Sequence, residues 1–167
     1  MTGLVSLVGA GPGDPELITV RGQDRLRHAD VIVYDHLVST ALLRGTTART
    51  IYAGKLPSHH TMTQDAINSL LAKLANDNTL VVRLKSGDPC IFGRGGEEYR
   101  YLTSQGIRCE IVPGVTSAIA GPEAVGIPLT ERGLSSQLHI LTGHQRSDGT
   151  EPDWGSIARL PGTTVIL

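Results

Sequence analysis

A chain of 167 residues and 17.7 kDa is long enough for one packed domain, or for one domain and part of another. Its 15 basic and 16 acidic residues leave a net charge of −1, so no global field gathers nucleic acid or an anionic membrane surface. Aromatic residues make up 4% while glycine numbers 20 and proline 9, which predicts short elements joined by many shaped loops, the usual carriers of ligand sites.

Leu4 to Val8 is an apolar run of strand length, ending in Gly9-Ala-Gly-Pro-Gly-Asp-Pro15. Asp14, Pro15 and Glu16 spell a helix start: an N-cap oxygen, a proline at the first helical position, then an acid in the first turn. That helix is expected to run to about His28, with Ile18, Leu26 and Ala29 facing inward. Val31 to Tyr34 is a second strand ending at Asp35. Ser39 caps a short helical turn through Leu43, and Arg49 to Ala53 is a third strand leading into Gly54 and Lys55. Thr63 is an N-cap for the clearest amphipathic helix, in which Ile67, Leu70, Leu71 and Leu74 fall at i, i+3, i+4 and i+7.

Leu80 to Leu84 is the fourth strand. It runs into Ser86-Gly87-Asp88-Pro89, a turn built from residues that each bend the backbone for a separate reason. Gly93, Gly95 and Gly96 precede a helix from Glu97 to Gln105, with Gly106 as its C-cap. Ile107 to Val112 is a fifth strand stopping at Pro113-Gly114, and Thr116 or Ser117 caps a small-residue helix through about Ala124.

Strands alternating with helices predict a mostly parallel, doubly wound α/β sheet, whose ligands bind at the carboxyl ends of the strands. The rhythm breaks across the Gly- and Ser-rich stretch from Gly126 to Ser136, read as a connection between domains. An N-terminal α/β domain is placed over residues 1–133 and the beginning of a second α/β domain over 134–167. The second comprises a strand from Gln137 to Leu141, a helix capped by Asp153 and a strand from Thr163. The chain stops inside that strand, which predicts a piece of a longer two-domain protein.

A glycine-rich turn after a first strand invites a dinucleotide-binding reading. The glycines stand at 9, 11 and 13, however, and Asp14 occupies the place of the third fingerprint glycine, with Pro12 stiffening the loop. His59 and His60 lack an acidic or cysteine partner at ligand spacing, as do Cys90 and Cys109, so no metal site is expected. With no signal peptide and no apolar run of membrane-spanning length, the expectation is a reduced, cytoplasmic chain. Ser117, Ser135 and Ser136 show no arrangement with His and Asp that supports a hydrolase. Asp35 reads equally as a turn cap and as an acid–base group, Lys55 as a solvated loop cation or a working one, and Asp88 as a brace or a ligand contact.

Taken together, the loops resemble the tetrapyrrole methylases. The matching segments are Val8 to Pro15, Ala29 to Asp35, Gly54-Lys55 with His60 and Gln64, Val82 to Lys85, Gly87-Asp-Pro89, Phe92 to Gly95, Pro113-Gly114 with Thr116-Ser-Ala118, Gly126 to Thr130, and Thr142-Gly-His144. They cover nearly the whole chain in family order. The resemblance implies a two-domain fold, a homodimer, and S-adenosylmethionine as methyl donor, leaving as S-adenosylhomocysteine. Within the family it points to C-methylation of uroporphyrinogen III to precorrin-2, on the route to sirohaem or cobalamin. A later precorrin as substrate and a donor-binding but inactive module are the alternatives, with no nucleic acid or membrane as partner.

Family donor contacts fall on Pro12, Ser86, Gly87, Asp88, Ile91, Thr116 and Ser117. Family catalytic roles fall on Asp35 and Lys55. Ser86 stands where the family usually has glycine, a change that a backbone contact tolerates. The implied substrate is a macrocycle bearing eight carboxylates, and a nearly neutral chain must meet it with a local cluster of cations. Arg83, Lys85 and Arg94 are the candidates for that role.

Overall fold

In the computed structural model of the protein, residues 2–54, 62–143 and 151–167 are described. The chain divides after Thr116 into two compact units. The first unit holds β1 (Leu4–Gly9), α1 (Val20–His28), β2 (Val31–Tyr34), β3 (Arg49–Tyr52), α2 (Gln64–Asp77), β4 (Leu80–Lys85), α3 (Gly95–Ser104) and β5 (Arg108–Val112). The strands form one sheet in the order β3-β2-β4-β1-β5. Every pairing is parallel, with Leu4 beside Leu80 and Arg108, and Val31 beside Val81 and Arg49. All five carboxyl ends therefore lie along one edge, with β4 at the centre.

The sheet is parallel because its central strands are buried on both faces, and near-continuous runs of Val, Leu and Ile suit that placement. Val5, Leu7, Val31, Val33 and Val81 pack on one face with Ile67, Leu71 and Leu74 of α2 and Leu102 of α3. Val8, Ile32, Val82, Leu84 and Val112 pack on the other with Leu26 of α1. Each such side chain, fully removed from water, contributes about 1.5–3 kcal/mol. Thr63 caps α2 as its sequence predicts, accepting the Ala66 N–H at 3.2 Å.

The first helix departs from expectation. Asp14 does accept the Glu16 N–H, but only a three-residue 3-10 turn, Pro15–Leu17, follows. Ile18 and Thr19 are extended, and Thr19 starts α1 afresh by accepting the Gly22 N–H at 3.1 Å. Two good N-caps five residues apart compete, and the half-buried Ile18 packs on the core only because the chain breaks between them.

The second unit contains α4 (Ser117–Ala124), β6 (Leu138–Leu141), α5 (Trp154–Ile157) and β7 (Thr163–Ile166). β6 and β7 pair in parallel, and the break expected near Gly126 to Ser136 lies within this unit. Among the described residues no helix is long and apolar enough to cross a membrane.

Candidate functional site

Three turns meet at the carboxyl edge of the first unit, after β1, β4 and β5. Gly11 and Gly87 exchange backbone hydrogen bonds at 3.2 and 2.8 Å, locking the β1 turn to the β4 turn. Gly87 sits at φ 62°, a left-handed position that favours glycine. A Cβ on Gly9 would stand 2.5 Å from the Gly114 backbone, so the β1 and β5 turns touch main chain to main chain. Asp88 completes the junction. Its Oδ1 accepts the Cys90 N–H at 2.7 Å, and its Oδ2 accepts the Gly114 N–H at 3.0 Å. Of the two roles left open for Asp88, bracing is the one that its oxygens visibly perform.

Pro12 and Ser86 are half-buried beside these glycines, and Ile91 is 38% exposed on the loop that follows. Thr116 is buried at the end of the first unit, and Ser117 opens α4 in the second. Lys55 lies outside the described residues, as do His59 and His60.

On the other side of β4, Asp35 follows β2. Its Oδ1 accepts the Leu37 N–H at 3.3 Å, and Arg83 Nη2 donates to its Oδ2 at 3.3 Å. Arg83 and Lys85 continue the row that starts at Val81, so strand alternation turns them inward against α2 and α3. Both are buried, at 3% and 5% exposure. Glu98 of α3 receives them: Lys85 Nζ at 3.0 Å and Arg83 Nε at 3.4 Å, both on Oε1. Gln64 Nε2 of α2 donates to the same oxygen at 3.0 Å and also to Asn68 Oδ1. Burial, followed by repulsion from Arg83, pushes the Lys85 ammonium below its ordinary pKa, against the opposing pull of Glu98.

Arg83 and Lys85 are thus internal partners of Asp35 and Glu98. Of the three cations expected to meet substrate carboxylates, only Arg94 is exposed. Arg94 adopts the left-handed conformation at φ 58° and heads α3, and its guanidinium forks onto Glu97 at 2.9 and 2.7 Å. The hydrogen bond from Arg94 holds the Glu97 carboxyl below the usual carboxylate range. Phe92, at φ 51°, shares this strained loop. Glu97 and Glu98 escaped the sequence reading, although Glu98 precedes the apolar Leu102 by four residues and so shares its inward face.

Residues 9–16 and 86–90 contain no lysine or arginine. Pro12, Ser86 and Gly87 stand on these turns and Ile91 on the loop that follows, and they are the candidate donor contacts, with Asp88 bracing the turns through Cys90 and Gly114.

Comparison with known proteins bears on the family and the donor. The family description "Tetrapyrrole (Corrin/Porphyrin) Methylases" matches residues 4–167. A uroporphyrinogen-III C-methyltransferase from Methanocaldococcus jannaschii is 47% identical over 169 residues, spanning 100% of this chain and 69% of its own. One from Priestia megaterium is 48% identical over 167 residues, spanning 98% and 70%. The crystal structure of uroporphyrin-III C-methyl transferase from Thermus thermophilus, complexed with S-adenosylhomocysteine, superposes with a TM-score of 0.84 at 44% identity, covering 99% of this chain and 69% of that one. The family match spans residues 4–167 and each of these likenesses covers at least 98% of the chain, so this chain belongs to the tetrapyrrole methylases.

Proposed function

We propose that the chain is an S-adenosylmethionine-dependent C-methyltransferase that converts uroporphyrinogen III to precorrin-2. Its likeness to two uroporphyrinogen-III C-methyltransferases and to a structure holding the demethylated donor supports the substrate and the donor. The observation that carries the reading is an acid, Asp35, held at a strand end beside acid-bearing glycine turns.

Bound S-adenosylmethionine supplies an electrophilic methyl group on a positively charged sulfur. Precorrin-2 requires two such methylations; each would use one donor, release one S-adenosylhomocysteine, and leave the methylated macrocycle with a proton to lose. We assign that proton to Asp35. Its carboxylate is fixed by Leu37 N–H and Arg83 yet remains 26% exposed, so it is both oriented and reachable. The glycine turns contribute orientation and exclude water, which can supply most of the rate in a displacement of this kind. Lys55 remains the second catalytic candidate on the strength of the resemblance. Of Arg83, Lys85 and Arg94, Arg94 is the one exposed to meet a substrate carboxylate, exchanging Glu97 for it. The reading also takes the protein to be a cytoplasmic homodimer, with its product serving sirohaem or cobalamin synthesis.

The test is turnover of uroporphyrinogen III with S-adenosylmethionine, following formation of the dimethylated chromophore, alongside calorimetric titration of S-adenosylhomocysteine with NAD as control. Turnover and selective binding of S-adenosylhomocysteine are expected. Binding of NAD instead, or methylation of a later precorrin in preference to uroporphyrinogen III, would overturn the assignment.

A further inference from the structure

Glu98 is the most deeply buried charged side chain among the described residues, at 0% exposure. Its Oε1 collects Lys85, Arg83 and Gln64, whereas its Oε2 has no hydrogen-bond partner. An assembly of buried charges is weak evidence for stability, because apolar residues of similar volume usually serve a core as well or better. It is stronger evidence for placement, and what is placed is Arg83. Nε of Arg83 is held by Glu98, and Nη1 donates to the carbonyls of Val33 and Leu84 at 3.4 and 3.3 Å. Nη2 is what remains, and it reaches Asp35. Val33 lies on β2, two residues before Asp35, so the guanidinium is registered to the backbone that leads into the acid.

We propose that Glu98 is a positioning residue for methyl transfer: by clamping Arg83 Nε it fixes the guanidinium that orients the Asp35 carboxylate toward the substrate. The proposal rests on the reading of Asp35 as proton acceptor. Glu98 itself touches neither substrate nor donor. Its influence passes from α3 through β4 to the end of β2; Lys85 compensates its charge together with Arg83, and Gln64 adds a hydrogen bond. The competing role is a polar plug that joins α2, α3 and β4 without bearing on chemistry.

A double-mutant cycle in the full chain separates the two. Glu98→Gln keeps the shape and one acceptor oxygen but removes the charge that holds Arg83. It is expected to lower kcat by about 10- to 100-fold, the scale of a small misplacement of a reacting group. KM for uroporphyrinogen III and the Kd of S-adenosylhomocysteine should stay within about 3-fold, because Glu98 contacts neither. In an Asp35→Asn background, the same change should cost less than about 3-fold in kcat, since the group being oriented is no longer a base. Arg83→Lys, which keeps a cation but not the fork, should show the same non-additivity and stands in should Glu98→Gln fail to fold. Equal losses in both backgrounds, or a lower melting temperature with kcat intact, would assign Glu98 to the structural role and overturn the proposal. An Asp35→Asn protein with unchanged kcat would instead remove the reading of Asp35 beneath it, an outcome recognisable from the single variant alone.

Discussion

Asp88 Oδ2 accepts the Gly114 N–H at 3.0 Å, and through that bond the turn after β4 holds the turn after β5. The sequence separation is 26 residues, but β1 alone lies between the two strands in the sheet, so the bond closes a short gap in space over a long one in sequence. Asp88→Ala removes both of its acceptors and leaves the Gly114 and Cys90 N–H groups without that partner. An unmade bond to a charged acceptor is worth about 1.5–3 kcal/mol, so S-adenosylhomocysteine binding should weaken by about 10-fold or more. Asp88→Asn, which keeps one accepting oxygen, should fall between Ala and wild type. Calorimetric titration of the three proteins checks the order; equal affinities would dismiss the brace.

Gly114 makes a sharper demand. A Cβ there would run into the Gly87 carbonyl and the Gly9 backbone, neither of which is the free end of a flexible side chain. Gly114→Ala must therefore push apart the junction of all three turns. Overpacking against rigid neighbours costs about 1–3 kcal/mol, and here the displacement falls on the candidate donor turns. We expect a lower melting temperature together with loss of measurable S-adenosylhomocysteine binding. Gly121→Ala, inside α4 and with nothing within 4 Å of its Cβ, is the control: binding should hold and the melting temperature should stay or rise slightly, as Ala favours a helix interior by about 0.5–1 kcal/mol.

Much of the sheet was legible because parallel strands announce themselves as runs of Val, Leu and Ile, and α2 because Thr63 directly precedes its apolar spacing. The turn glycines were legible too, since their residue types are chosen by local geometry. The buried cluster was not. Seeing Arg83 and Lys85 as partners of Glu98 requires knowing that α2 and α3 cover the face on which Val81 lies, a tertiary fact. Read locally, two cations at a strand end look available to an anionic substrate; folded, they neutralise a buried carboxylate. The alternation Val81, Arg83, Lys85 and the spacing of Glu98 to Leu102 held the clue, but only once the layers are known. The later start of α1 has another cause: Asp14 does cap a turn, but that turn lasts three residues and Thr19, which the local pattern of Asp14, Pro15 and Glu16 overshadows, starts the helix afresh.

The two cysteines give a test that needs no turnover. Cys109 is half-buried on β5, and burial, with Glu98 and Glu110 adding to it, pushes its thiol up to about 12. Cys90 is exposed between Asp88 and Ile91, although partial burial and Asp88 raise its thiol as well. Alkylation requires the thiolate, so at pH 8 iodoacetamide should label Cys90 first and Cys109 only slowly until urea opens the sheet. Because Cys90 lies within the candidate donor loop, S-adenosylhomocysteine should slow its labelling several-fold while NAD does not. Peptide mapping by mass spectrometry reads both sites. Faster labelling of Cys109 would contradict its place on β5, and failure of S-adenosylhomocysteine to protect Cys90 would move the donor elsewhere.

Acid stability should report on Glu110, which ties β5 to α1 on the far side of the sheet from Glu98. Arg25 donates to both of its oxygens, and Ser6 Oγ adds a bond at 2.8 Å. The hydrogen bond from Arg25 is the main reason the Glu110 carboxyl is held below its ordinary pKa; burial opposes it, and Ser6 assists. A carboxyl depressed in the folded state stabilises the fold fully above its unfolded pKa of about 4.3. That contribution fades as pH falls through the lower, folded value. Glu110→Gln should therefore cost about 1–2 kcal/mol at pH 7, the scale of a charge-assisted bond at a side chain still 26% exposed. The gap between wild type and variant should narrow steadily below about pH 4. Urea denaturation at pH 7, 5, 4 and 3 measures it, and a gap that stays constant to pH 3 would show that packing rather than the Arg25 pair is what Glu110 supplies.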